Sequence, residues 1–103
     1  MKKKNKPLAR FTDFLYEELR DPNFALKFLN AVLEEGDFDA FLLAIKDVIR
    51  VHGSITSFAQ EANISRTTLY KMFSDKPNPE LRTILTVLNT MGYDLRITRA
   101  KAA

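Results

Sequence analysis

Apolar side chains recur at three- and four-residue spacing over most of the chain, a pattern that predicts amphipathic helices. Asp21 and Asp37 each stand where a side-chain oxygen can accept a hydrogen bond from the first turn of a helix, and Thr12 is a candidate for the same role. Gly36 and Gly53 stand where the second and third predicted helices are expected to end. In the first half of the chain, the pattern predicts helices over 11–20, 22–35 and 38–52.

Shorter elements are predicted in the second half. Ser54 or Thr56 is expected to cap the first of them and Ser65 the second. Residues 74–79 have the Ser, Asp, Asn and Pro content of a loop. The predicted helices lie over 56–62, 66–73 and 80–91.

Beyond the last helix, apolar and polar residues alternate over 93–99, which predicts a half-buried strand. A single strand leaves its backbone N–H and C=O groups unpaired, and this costs free energy. We therefore expect two copies of the chain to pair through this strand in a two-fold dimer, with Tyr93, Leu95 and Ile97 in the contact.

Residues 56–73 meet the steric requirements of a helix-turn-helix, in which two short helices cross at a steep angle. A small residue stands where the helices approach, and Asn tolerates the positive φ that the turn needs. The predicted motif core is Phe58, Ala59, Asn63, Ile64, Leu69 and Met72. The predicted fold class is all-α, a bundle of five to six helices with a helix-turn-helix and a short C-terminal β-strand.

The second helix of such a motif lies in the major groove of DNA. Its predicted outward side chains can all donate hydrogen bonds and none is acidic; they are Ser65, Arg66, Thr67, Thr68 and Lys71. Arg and Lys can donate to guanine, and Thr can bond a base or contact the thymine methyl group. Candidate contacts to the DNA backbone are Thr56, Ser57, Lys76 and Asn78. The alternative is an ordinary pair of packed helices.

The charges are distributed unevenly. Four lysines lie in the first six residues, residues 7–65 carry a net charge of −5, and residues 66–103 carry +4. This asymmetry favours a polyanionic partner for one face of the protein. We expect a disordered basic tail over 1–7, although a run of lysines is usually only a solvated surface, and a single domain over 8–103.

Composition excludes several classes of function. The chain has no Cys, so it has neither disulfides nor thiolate metal sites. It has no apolar run of membrane-spanning length and no signal-peptide pattern, so we expect a soluble cytoplasmic protein that does not bind a membrane. We expect no cofactor, no bound metal and no enzymatic activity, because His52 is the only histidine and stands beside a predicted helix end.

Residues 57–73 (SFAQEANISRTTLYKMF) resemble the helix-turn-helix of the Cro/C1-type phage-repressor family, to which lambda repressor belongs. The longer stretch 19–95 resembles the addiction-module antidote proteins, the HigA-like antitoxins. The segments that carry this resemblance include Leu19-Arg-Asp-Pro22, Leu33-Glu-Glu-Gly-Asp37, Ala44-Ile-Lys-Asp-Val-Ile49, Ile64-Ser-Arg-Thr-Thr-Leu-Tyr-Lys71 and Gly92-Tyr-Asp-Leu95.

The resemblance implies a dimeric repressor that binds a palindromic operator in its own operon. It also implies a partner toxin, ribonuclease-like or gyrase-poisoning, encoded beside it. Base and phosphate contacts are carried over to Ser65, Arg66, Thr67, Thr68 and Lys71.

Two other functions remain open. The chain can be a stand-alone regulator without a toxin, or a helical protein-interaction module that does not bind DNA. The first half is acidic and rich in Phe, so a toxin is expected to dock on residues 8–40. The acidic cluster at positions 34, 35, 37 and 39 lacks the ligand spacing of a calcium loop and is better explained as a solvated helix end.

Overall fold

The computed structural model describes residues 7–101, and within this range the protein consists of six α-helices and contains no β-strand. The fold class is therefore helical, as predicted. The helices are α1 (Pro7–Leu19), α2 (Pro22–Glu34), α3 (Phe38–His52), α4 (Ile55–Ala62), α5 (Arg66–Met72) and α6 (Leu81–Thr90).

The predicted caps of α2 and α3 are confirmed. One oxygen of Asp21 accepts a hydrogen bond from the Asn23 amide at 3.0 Å, and one oxygen of Asp37 accepts from the Ala40 amide at 3.1 Å. Both capping residues have extended backbone. Each of these side chains therefore satisfies an N–H group that its helix leaves without a partner.

The first helix starts earlier than the apolar spacing predicts. It begins at Pro7 rather than at Phe11, so Thr12 lies inside α1 and is not its cap. Proline suits the first helical position, because its fixed φ is helical and no N–H partner is needed there. The predicted tail over 1–7 otherwise lies outside the described residues.

Helix α3 is the centre of the core. It contacts α1, α2 and α4, while α4 in turn contacts α5 and α6. The structure is thus two groups of three helices that meet where α3 and α4 pack together. The buried side chains of α3 are Phe41, Leu42, Ala44, Ile45, Val48 and Ile49.

A side-chain hydrogen bond joins α1 to α3. The Tyr16 hydroxyl donates to a carboxylate oxygen of Asp47 at 2.9 Å, across 31 residues of sequence. Partial burial raises the pKa of the Tyr16 phenol above its ordinary value of 10.0, and the bond to Asp47 raises it further. The contact therefore favours the neutral phenol and holds α1 on the core.

The turn between α4 and α5 has the predicted left-handed residue. Asn63 has φ 58° and ψ 43° and is the only non-glycine residue with positive φ among the described residues. The Ile64 amide donates to the Ala59 carbonyl at 3.0 Å, and the Asn63 amide donates to the Gln60 carbonyl at 3.2 Å. This pair of bonds is a Schellman motif, which ends α4 and fixes the direction in which α5 leaves.

The predicted C-terminal strand over 93–99 does not form. Gly92 has φ 96°, and the Tyr93 amide donates to the Leu88 carbonyl at 2.8 Å, so this amide ends α6 and is not available to a strand ladder. The Tyr93 side chain packs on the core, and its hydroxyl donates to the Pro22 carbonyl at 3.3 Å. Alternation alone did not distinguish a strand from a helix-ending turn followed by irregular chain.

We predict that Asn63→Val lowers the free energy of unfolding by about 1–2 kcal/mol, because a β-branched residue is strained at positive φ. Asn63→Gly is the matched control and should keep or raise the melting temperature, since glycine adopts this conformation freely. Thermal unfolding followed by circular dichroism measures both. Equal melting temperatures for the two variants would contradict the role assigned to this turn.

We predict that Tyr16→Phe lowers the free energy of unfolding by about 0.5–1.5 kcal/mol near neutral pH, through loss of the bond to Asp47. Above pH 10.0 the unfolded phenol ionises before the folded one, so the contribution of Tyr16 falls as the pH rises through the raised folded pKa. The difference in free energy of unfolding between wild type and Tyr16→Phe should therefore be largest below pH 10 and decrease above it.

Urea unfolding at a series of pH values checks this prediction. Tyr70→Phe is the control, because the Tyr70 side chain is 52% exposed and loss of its hydroxyl should have little effect on stability. A difference in free energy of unfolding that stays constant up to pH 11 would show that ionisation of the Tyr16 phenol does not affect stability.

Candidate functional site

Hydroxyl side chains begin both α4 and α5. The Ser54 hydroxyl accepts a hydrogen bond from the Ser57 amide at 3.0 Å, and the Ser65 hydroxyl accepts from the Thr68 amide at 3.0 Å. These bonds confirm Ser54 and Ser65 as the caps. Because each cap fixes the first turn of its helix, the rotation of α5 about its axis is set at its start.

The inward side of α5 anchors it to the protein. Leu69 is completely buried and Met72 is 1% exposed, and both belong to the same core as Val87 of α6. The six residues predicted as the motif core are placed as follows: Phe58, Ala59, Leu69 and Met72 are buried, Ile64 packs against the core, and Asn63 forms the turn.

The outward side of α5 faces solvent. The five side chains predicted to lie there are all exposed: Ser65, Arg66, Thr67, Thr68 and Lys71. They combine one guanidinium, one ammonium and three hydroxyl groups, and no carboxylate interrupts them. Such a face can donate several hydrogen bonds to acceptor-rich surfaces, including base edges and phosphates.

Two of the predicted contact groups are partly used inside the protein. The Ser65 hydroxyl donates to the Thr68 hydroxyl oxygen at 2.8 Å. The Ser57 hydroxyl donates to the Ser54 carbonyl at 3.1 Å, and its amide already bonds the Ser54 side chain. Ser57 therefore serves mainly the cap of α4, whereas Thr56 remains half-buried beside it.

An open groove of about 350 Å³ lies between α4 and α5. Thr56 and Gln60 line one side of it, and Ser65 and Arg66 line the other. Gln60 is exposed and was not identified from the sequence. Its position four residues after Thr56, on the same helix face, was the available signal.

A larger groove of about 640 Å³ lies between α5 and the start of α6. Lys76 and Asn78 of the loop line it together with Thr68 and Lys71 of α5, so the structure brings these predicted residues together. Ser74 and Thr83 also line it and were missed. Both grooves flank the outward side of α5 and extend its polar surface in two directions.

Within residues 7–101, no three His, Cys, Asp or Glu side chains lie close enough together to hold a metal ion. His52 is exposed at the last residue of α3. None of the described helices combines the length and the apolar character needed to cross a membrane.

Comparison with known proteins identifies a family. A family model described as "Probable addiction module antidote protein" matches residues 10–99. A protein of Haemophilus influenzae (strain ATCC 51907 / DSM 11121 / KW20 / Rd), described as an uncharacterized protein, is 29% identical over 76 residues. That alignment covers 74% of this chain and 77% of the relative. No solved structure matches the chain.

Proposed function

Because the chain belongs to the family of probable addiction module antidote proteins, we propose that it is an antitoxin that neutralises a toxin encoded beside it and represses their shared operon by binding DNA. Family membership carries the antitoxin role. The DNA-binding role rests on the outward side of α5 and on the two grooves beside it.

The single observation that supports DNA binding most strongly is the contrast between the two sides of α5. Leu69 and Met72 are buried, while every exposed side chain from Ser65 to Thr68, and Lys71, can donate a hydrogen bond. In a helix-turn-helix of the Cro/C1 type, the second helix presents such a face to the major groove. We therefore assign α4 and α5 to a helix-turn-helix of the HigA-like subtype.

The proposed operator contacts fall into two classes. Arg66, Thr67, Thr68 and Lys71 are assigned to base edges. Thr56 and Gln60 on one side, and Lys76 and Asn78 on the other, are assigned to phosphates. Phosphate contacts hold the helix in register, and base contacts select the sequence.

A two-fold dimer completes the proposal, because operators that are read by such motifs repeat about one helical turn apart. Leu95 is partly exposed and Ile97 fully exposed on the irregular C-terminal segment, so both offer apolar surface to a second copy. Tyr93 contributes less than predicted, since it packs on the core of its own chain.

A stand-alone regulator is the second candidate, and the same α5 surface favours it. The two candidates differ in whether the product of the neighbouring reading frame binds this protein. Family membership favours the antitoxin.

We predict that Arg66→Ala weakens binding to the chain's own upstream DNA by about 1–3 kcal/mol and reduces the preference for that DNA over an unrelated duplex. Arg20→Ala is the charge-matched control, because Arg20 is exposed between α1 and α2. Fluorescence anisotropy with labelled duplexes measures both affinities. Unchanged operator affinity in Arg66→Ala would show that the recognition face is wrongly assigned.

We predict that Lys76→Ala weakens binding to specific and unrelated DNA by similar factors and lowers the slope of log affinity against log salt by about 1. The reason is that one phosphate contact releases about one counterion. Lys27→Ala, which removes an exposed lysine of α2, is the control. A change in sequence preference without a change in slope would instead assign Lys76 to a base.

A further inference from the structure

The exposed large apolar side chains concentrate at the N-terminal half of the protein. Of the ten such side chains among the residues whose burial is described, six belong to α1, α2 and α3. Phe11 and Phe14 are 61% and 60% exposed, and they are neighbours on one face of α1 because they stand three residues apart. The other four are Leu26, Leu33, Phe38 and Leu43.

Five of these side chains fall at one end of the three-helix group. Pro22 at the start of α2 lines the same groove as Ile49 and His52 near the end of α3, so α2 and α3 run antiparallel. A two-residue link joins α1 to α2, and α1 contacts α3. Helix α1 therefore returns alongside α3 in the same direction, and its start lies near the start of α3.

The bond between Tyr16 and Asp47 sets the level of α1 on α3. Phe14 and Phe11 stand two and five residues before Tyr16, on the side of α1 away from α3, and Leu43 stands one helical turn before Asp47 on α3. The antiparallel α2 brings Leu33 of its last turn to this end, where the link to α3 leads into Phe38. These side chains share one end of the three-helix group but lie on different helix faces, and we call Phe11, Phe14, Leu33, Phe38 and Leu43 together the N-terminal apolar surface.

Carboxylates surround this surface. Between positions 11 and 43 the chain has eight acidic and two basic residues, a net charge of −6. Five of the acidic side chains lie in the same turns as the apolar ones, and all five are exposed: Asp13, Glu34, Glu35, Asp37 and Asp39. These exposed carboxylates repel the phosphate groups of nucleic acid and of anionic lipid.

We propose that the N-terminal apolar surface is the docking site of the toxin, and that the docked part of the toxin is basic with apolar side chains at its centre. This inference rests on the proposed antitoxin function and identifies the surface of the protein through which the toxin would bind. Apolar anchors surrounded by charges of the opposite sign match the usual anatomy of a specific protein interface. Charge complementarity with the carboxylate rim also accelerates association.

The docking site lies apart from the proposed DNA-binding face. Helix α3 has 15 residues and is therefore about 22 Å long. The apolar surface lies at its start, whereas α4 follows its end. A toxin held at the start of α3 leaves the outward side of α5 open, so one molecule can hold toxin and DNA together.

The test uses the full chain and the purified product of the reading frame adjacent to its gene. Phe11→Ala combined with Phe14→Ala should weaken their complex at least about 100-fold in calorimetry, because exposed aromatic anchors dominate such interfaces. Operator affinity and melting temperature should not change. Leu81→Ala is the matched control, since Leu81 of α6 is 63% exposed and lies outside the surface.

A second variant tests the carboxylate rim without removing apolar contacts. Glu34→Lys combined with Glu35→Lys places positive charge at the C-terminal end of α2, where it favours the helix. This variant should bind the same product at least about 10-fold more weakly at low salt, and the difference should shrink at high salt. It keeps the inference testable if the double Phe variant folds poorly.

The possible outcomes separate the two proposals. If the wild-type chain does not bind the neighbouring product, the antitoxin function and the docking site both fail. If it binds and both variants bind equally well, the docking site is wrong and the antitoxin function stands. If the Phe variant instead changes the oligomeric mass of the free chain by light scattering, the surface belongs to a second copy, and the inference is overturned.

Discussion

The left-handed conformation of Asn63 is the constraint on which the candidate site depends. It ends α4 by directing two amide groups back to the α4 carbonyls, and it sends the chain into α5 at an angle that lets Leu69 and Met72 enter the core. Because Leu69 and Met72 are buried, the opposite side of the seven-residue helix α5 faces solvent. No other helix covers that side, so the side chains that the sequence places there determine how polar it is.

Much of this arrangement could be predicted because it is local. A cap such as Asp37, a turn residue such as Asn63 and a buried pair such as Leu69 and Met72 each depend on a few neighbouring positions. The chain end was harder to predict. Residues 93–99 alternate like a strand, yet the Tyr93 amide is already used by the Leu88 carbonyl. The Tyr93 amide can bond either to the α6 carbonyl or to a neighbouring strand. The choice depends on how Gly92 ends α6 and on whether the Tyr93 ring can pack on the core.

The grooves show the other limit of sequence reasoning. Gln60 and Arg66 are on different helices, and they line one groove only because α4 and α5 cross where they do. Thr83 of α6 similarly joins Lys71 and Lys76 across a loop. A pattern within one helix indicates which face is outward, but the surface that a ligand meets is assembled from several helices. The pattern within α5 therefore indicated its exposed side chains, whereas the contributions of Gln60 and Thr83 to the grooves depend on how the helices pack.

Helix α3 separates two surfaces that have opposite charge and, in our proposals, different partners. Helix α3 packs against α1 and α2 in one half of the molecule and against α4 in the other. The apolar surface lies near its start, and the helices that carry the DNA-binding face follow its end. Because the two surfaces are separate, substitutions in one of them need not change the other. Among relatives, a lineage can acquire a new operator while keeping its old toxin, or follow a changing toxin while its operator stays the same, provided that the interior of this one helix is preserved.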